Sequence, residues 1–358
     1  MAKKFDVCTL GSVVLDTFLE PSEMELLSLR HRPEMMLFPV GGKILTKTLA
    51  RHVGGSSANA AIGFAKLGLT IAALGTIGDD DHGEFIQHKL QQAGVETEHL
   101  KIKKRQPSSS SQIFVTPDGR RTVFHERTAH SAYHQFPRCR ALYVGHLTTG
   151  EEDAFEKIVA HKMSSRWNKQ LLLGWNPGKT QFEKGFEKFR MLFPHIDVLI
   201  LNTEEAEAFA EKKARQITPQ KSGAEILKWQ NSLPDHIADL RPIAERFLDA
   251  GVGALCVTDG KNGAQYFAEC PGAPEKVCHL FAPTISEKKP VSTLGAGDSF
   301  SVGLLAARLK GKSPAEQLLW GSLNSNAVIQ EFGAQEGQLS LRTMQHAAKM
   351  AEKQWKRH

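Results

Sequence analysis

In Thr293-Leu294-Gly295-Ala296-Gly297-Asp298-Ser299-Phe300 a carboxylate stands among residues with almost no side chain, just before the apolar helical run Val302–Leu309. Small residues at a helix N-terminus let backbone N–H groups come close to an anion, and the helix dipole favours negative charge there. A fixed carboxylate would repel that anion, so Asp298 is awkward for structure alone. It makes sense as a general base that takes a hydroxyl proton while the N–H groups stabilise a transferring phosphoryl group. The plainer alternative is a glycine-rich turn with Asp298 as the helix cap.

Four further elements carry polar groups at chosen places. Gly54-Gly55-Ser56-Ser57-Ala58-Asn59 opens a helix running to Leu67; paired glycines allow close backbone approach, and Asn59 adds a donor and an acceptor. Tight packing alone would also explain those small residues. Asn202 and Glu205 are three apart after the strand-like Val198–Leu201, so they share a helix face. At the carboxyl end of a parallel strand such a pair suits Mg²⁺ waters and phosphate oxygens, or simply a cap. Asp16 follows the first strand and suits two vicinal hydroxyls. Thr258-Asp259-Gly260 follows another strand and suits nucleotide phosphates, or a turn.

The elements that must position these groups follow from apolar runs. Phe5–Leu10, Ile71–Gly75, Ala141–Val144, Gln170–Leu173, Asp197–Leu201 and Ala254–Val257 read as short buried strands. Helical periodicity fills Ala58–Leu67, Phe85–Ala93, Ala154–Lys162 and Ile243–Ala250. That alternation predicts βαβ units and a mainly parallel α/β sheet covered on both faces. Ser111–Thr116 and Arg121–Glu126 around Pro117-Asp118-Gly119 predict a hairpin projecting from it. Residues 21–52 and 211–240 read as insertions.

Composition bounds the function. Hydrophobic residues make up 41% and charged residues 23%, ordinary for a folded chain of 358 residues. No apolar run is long enough to span a bilayer, and the start lacks a secretory apolar segment, so a cytoplasmic protein with no membrane contact is expected. The five cysteines lack Cys-x-x-Cys spacing, against a disulfide framework or zinc site. Net charge is +6, but with three tyrosines and no basic-aromatic interleaving no nucleic-acid partner is expected.

Taken together, these elements resemble the ribokinase-like carbohydrate kinase family, also called PfkB, over about residues 5 to 340. Its Gly-Gly-x-x-x-Asn, Asn-x-x-Glu and Gly-Ala-Gly-Asp elements stand in order at Gly54–Asn59, Asn202–Glu205 and Gly295–Asp298. The resemblance implies a three-layer α/β/α ribokinase-like fold in one domain, 1–345. Parts of about 12–53 and 105–130 would form a small β lid, with a basic C-terminal tail at 346–358. It implies an ATP-dependent kinase that phosphorylates a sugar hydroxyl, or else a nucleoside. Asp298 would be the base, with Gly295, Ala296 and Gly297 as the anion hole. Asp16, Gly54, Gly55 and Asn59 would hold the substrate. Asn202 and Glu205 would organise phosphate and Mg²⁺, while Thr258, Gly260 and Asn324 would line the ATP site. A homodimer through the lid is expected. Ser292 departs from the Asp common in relatives, which helps bind a monovalent cation, so weak or absent potassium activation is expected.

Rival readings lack residues. A P-loop ending at Gly178-Lys179-Thr180 would need glycine where Leu173 stands, and a dinucleotide fingerprint at Gly251-Val252-Gly253 would need glycine where Cys256 stands. A ribokinase-like regulator that binds without turnover is opposed by the intact Asp298.

Overall fold

The computed structural model describes residues 4–28, 34–128, 136–147, 154–164, 170–214, 237–269, 277–285 and 289–355. Its main sheet has eight strands in the spatial order Val277–Ala282, Ala264–Glu269, Ala254–Thr258, Val198–Asn202, Leu172–Trp175, Cys139–Val144, Phe5–Leu10 and Ile71–Leu74. The six from Ala254–Thr258 onward run parallel; Ala264–Glu269 runs antiparallel to them, and Val277–Ala282, antiparallel to that strand, runs with the six.

Alternation along each strand sends successive side chains to opposite faces. Val7, Ala141, Tyr143, Ile200 and Cys256 join one buried cluster, packed under the helices Ser56–Lys66, Ala296–Leu309 and Pro314–Val328. Cys8, Leu142, Val144, Leu199 and Val257 join another, under Ala154–Met163, Thr203–Ala210 and Arg241–Asp249. Two dry faces of one sheet give three layers, which is why the strands read as continuous apolar runs.

One expected strand is displaced. Gln170–Leu173 is observed as Leu172–Trp175. Gly174 obscures the apolar pattern; a side chain there would crowd Leu305 at 2.6 Å.

A second sheet of four strands, ordered Arg121–Glu126, Ser110–Val115, Val14–Pro21 and Thr46–Gly54, stands against the carboxyl edge of the first. The expected hairpin forms two of these strands. Residues 21–52 are not a plain insertion, since Thr46–Gly54 pairs antiparallel with Val14–Pro21. Between them Glu25–Leu27 pairs with Met35–Leu37. Most of the other expected insertion, residues 215–236, lies outside the described residues.

The segment from 346 is not an appended tail. Helix Leu341–Trp355 runs through it, with Met344, Ala348 and Ala351 buried; residues 356–358 lie outside the described part. Cys8 and Cys256 are buried free thiols. Cys278 is disulfide-bonded, a single bond that an odd cysteine count permits and that falls short of a disulfide framework. Among the described residues no helix is long and apolar enough to cross a membrane.

Candidate active site

Helix Ala296–Leu309 begins from Gly295, whose φ of 74° lies in the left-handed region. The tight entry is forced by packing as well: a Cβ at Gly295 would meet the Ala334 Cβ at 2.6 Å. The first N–H groups of a helix lack intrahelical acceptors, and nothing lies within 4 Å of where a Gly297 Cβ would be, so this terminus faces open space.

Asp298 sits in the first turn. Asn59 Nδ2 donates to its Oδ2 at 3.0 Å, and the Tyr143 hydroxyl donates to its Oδ1 at 3.1 Å. Desolvation outweighs both hydrogen bonds and raises the Asp298 carboxyl to about 6. That value suits a base at neutral pH: ionised, yet far more basic than an exposed aspartate.

Asn59 is engaged on its other side too, with Gln335 Nε2 donating to its Oδ1 at 2.9 Å. Gln335 also donates to the Val53 carbonyl, and Gln338 Nε2 to the Asn59 carbonyl at 3.0 Å. The expected substrate ligand is thus, in this structure, an orienting group for the carboxylate.

Asp16 lies on Val14–Pro21 with 8% of its surface exposed, against Gly54. Any side chain at Gly54 would collide with the Asp16 carboxylate, which explains the first glycine of the pair. Burial raises the Asp16 carboxyl, while a hydrogen bond from Ser111 and the charges of Arg127 and His52 lower it. Gly55 caps the helix Ser56–Lys66.

Asn202 and Glu205 form a reciprocal cap of helix Thr203–Ala210. Glu205 N donates to Asn202 Oδ1 at 2.8 Å, and Asn202 N to Glu205 Oε2 at 2.9 Å. Burial raises the Glu205 carboxyl, opposed by the Asn202 bond and reinforced by the charge of Asp298. Glu205 therefore lies within electrostatic reach of Asp298.

Thr258, Gly260, Ala296 and Gly297 line one cavity with Ser322 and Ser325. Asn324 is not among its lining residues, which corrects that expectation. It is fully buried, donating to the Ser299 carbonyl at 2.8 Å and accepting from Leu339 N at 2.9 Å. Ser322 and Ser325, three apart, share the cavity face of Pro314–Val328; Asn324, two on from Ser322, points elsewhere.

Sequence reasoning missed Tyr143 and Gln335. Tyr143 hid in an apolar strand, although a buried tyrosine hydroxyl normally finds a partner, and that was the available signal. Arg121 donates from the hairpin to Ser292 Oγ at 3.3 Å and Thr293 Oγ1 at 3.1 Å.

A parallel sheet under helices, with a buried carboxylate at a helix N-terminus and a cavity beside it, is the arrangement of a phosphotransferase of the ribokinase fold. Residues 29–341 match the pfkB family carbohydrate kinase pattern, and the chain belongs to that family: it is a kinase acting on a sugar hydroxyl. It is 22% identical over 307 residues to the 5-dehydro-2-deoxygluconokinase of Bacillus licheniformis, covering 81% of this chain and 85% of that one. The structure of Arabidopsis thaliana ribokinase complexed with ribose and ATP superposes with a TM-score of 0.70 at 19% identity, covering 98% and 99% of the two chains. The Burkholderia thailandensis nucleoside kinase in complex with inosine gives 0.70 at 17% identity, covering 96% and 98%.

Proposed function

We propose that this kinase transfers the γ-phosphate of ATP to a hydroxyl of a sugar, with Asp298 as the base. The carrying observation is the Asp298 carboxylate, fixed by Asn59 and Tyr143 at an open helix N-terminus and raised to about 6. The acceptor's diol lies on Asp16, backed by Gly54 and Gly55. Asp298 withdraws the hydroxyl proton as that oxygen attacks phosphorus, and backbone N–H groups of Gly295, Ala296 and Gly297 receive the charge building on the phosphoryl oxygens. Thr258 and Gly260 line the nucleotide side.

The residues fit Mg²⁺ held indirectly. Among the described residues no three His, Cys, Asp or Glu side chains gather as a metal site, whereas Mg²⁺ commonly keeps its waters beside one carboxylate and the phosphates. Glu205 supplies that carboxylate near Asp298, and the ion, when bound, neutralises phosphate charge.

A sugar is favoured over a nucleoside because the hairpin's aromatic residues face away from Asp16. Strand alternation sets Phe114 and Phe124 opposite Ile113 and His125, and they pack with each other and with Phe38 on the outer side. That outer face, with Phe124 54% exposed, is the surface a lid-to-lid homodimer would cover. The inner face closes over the acceptor as a lid.

Tyr143→Phe tests the base. The Tyr143 bond lowers the Asp298 pKa, so its removal should move the acid limb of kcat/KM upward from its midpoint near 6 and cost about tenfold in turnover. An acid limb left in place by a folded variant would show that Asp298 does not set it.

The residues do not fit a monovalent cation beside the anion-hole loop. Ser292 offers a neutral oxygen, already accepting from Leu294 N at 3.2 Å, and the Arg121 guanidinium is within 3.3 Å of it. A fixed positive charge opposes a second cation there. Turnover should therefore change less than about twofold between KCl and a matched bulky-cation salt. Ser292→Asp alone should pair with Arg121 and leave that unchanged; Arg121→Gln with Ser292→Asp should create a response. Saturable, several-fold potassium activation of the unaltered enzyme would refute this.

A further inference from the structure

We propose, resting on the sugar-kinase reading, that the acceptor carries a terminal oxyanion, a carboxylate or phosphate ester, received by Arg127, His125 and His146 at the far end of the sugar from the reacting hydroxyl. The register of the small sheet builds half of this site. His52, Asp16, Ser111 and His125 lie directly across from one another on its four strands, one row on one face. Within that row the two ends differ. His52 is already paired with Glu336 at 2.6 Å, so it is committed to a carboxylate of the protein. His125 instead meets the Ser111 hydroxyl through Nδ1 at 2.9 Å, with an Arg127 nitrogen 3.5 Å from the same atom.

The other half comes from the main sheet. His146 follows the strand Cys139–Val144, and its ring is oriented by Nε2 and Thr180 Oγ1 at 3.1 Å. Basic groups from two segments, His125 and Arg127 at the end of the hairpin and His146 after Cys139–Val144, thus stand near the carboxylate assigned to the diol. Their charges act on one another. Burial, then the charge of Arg127, lowers the His125 imidazole; burial, then Arg127 and His125, brings His146 down to about 4. The Arg127 charge also reaches Asp16.

An uncharged sugar would leave two imidazoles discharged beside a guanidinium. A ligand oxyanion placed among them restores their affinity for protons and gains charge-assisted hydrogen bonds from all three. Asp16 repels such an anion, which orients the sugar: hydroxyls toward Asp16 and Asp298, oxyanion away from them.

The test is acceptor-dependent ADP release across aldoses and ketoses, their aldonic and keto-acid counterparts, and their phosphate esters, with unaltered enzyme, Arg127→Gln and Arg127→Lys. Loss of a charged hydrogen-bond partner typically costs about 10² in affinity or more. The expected result is at least about a 10²-fold preference in kcat/KM for an anionic acceptor over its neutral counterpart. Arg127→Gln should erase that preference, lowering kcat/KM for anionic acceptors at least about tenfold more than for their neutral counterparts, and Arg127→Lys should keep part of it. Preference for a phosphate ester over a carboxylate supports the subsite and names its anion. Preference of unaltered enzyme for neutral sugars overturns the subsite while leaving the kinase reading intact. ADP release with no sugar of any kind overturns both.

Discussion

Replacing Asp16 with alanine is expected to lower kcat/KM for the acceptor by about 10² to 10⁴ while changing the KM for ATP less than about threefold. The carboxylate is nearly enclosed and sits against Gly54, so hydroxyls that bind there exchange water for two charged hydrogen bonds. Each such bond contributes about 1.5–3 kcal/mol. Removing the carboxylate leaves those hydroxyls desolvated without partners. Deoxy acceptors on the unaltered enzyme should show the same loss, and the two losses should not add, because they delete one interaction from its two sides. Initial rates with each substrate varied in turn check this. Equal effects on both KM values would place the diol elsewhere.

Asp298→Asn is expected to reduce turnover by about 10² to 10⁴ and, at the same time, to stabilise the fold at neutral pH. Asparagine keeps both contacts: its oxygen accepts from Asn59 and its amide donates to the Tyr143 oxygen. It loses only the desolvated charge. The folded-state value of about 6 stands above the ordinary aspartate value, so the folded protein binds the proton more tightly than the unfolded chain. Above pH 6 the carboxylate is ionised in both states and its burial costs the fold about 3 kcal/mol. As pH falls through 6 toward 4 the folded state takes up a proton and the cost disappears. The asparagine variant should therefore melt higher at pH 7.5, with the difference closing toward pH 4. A variant less stable at every pH would mean that the charge is compensated in the fold.

What could be read in the sequence follows from where each segment is buried. The core strands are dry on both faces, so apolar runs marked them. The strand Thr46–Gly54 carries Thr46, Lys47, Thr48, Arg51 and His52 and is mostly exposed; only its ladder with Val14–Pro21 makes it a strand, and a ladder between distant segments leaves no local periodicity. The glycine-rich elements were legible because backbone approach restricts residue type at single positions. Partner choice was not: Asn59 was recognisable as polar at a helix start, but its turn toward Asp298 depends on Gln335, 276 residues away. Asn324 failed for a geometric reason, since a count along the chain ignores the 100° step that separates helix faces.

The most direct test of Asp298 as base is single-turnover transfer of the γ-phosphate from saturating ATP to a saturating acceptor, followed by rapid quench across pH 5 to 8. The unaltered enzyme should show a transfer rate that falls below a midpoint near 6, with phosphate appearing on an acceptor hydroxyl. Asp298→Asn should bind ATP with unchanged affinity and transfer at least about 10² times more slowly, with that acid limb gone. Transfer by the asparagine variant at near the full rate, or with the same acid limb, would contradict the assignment.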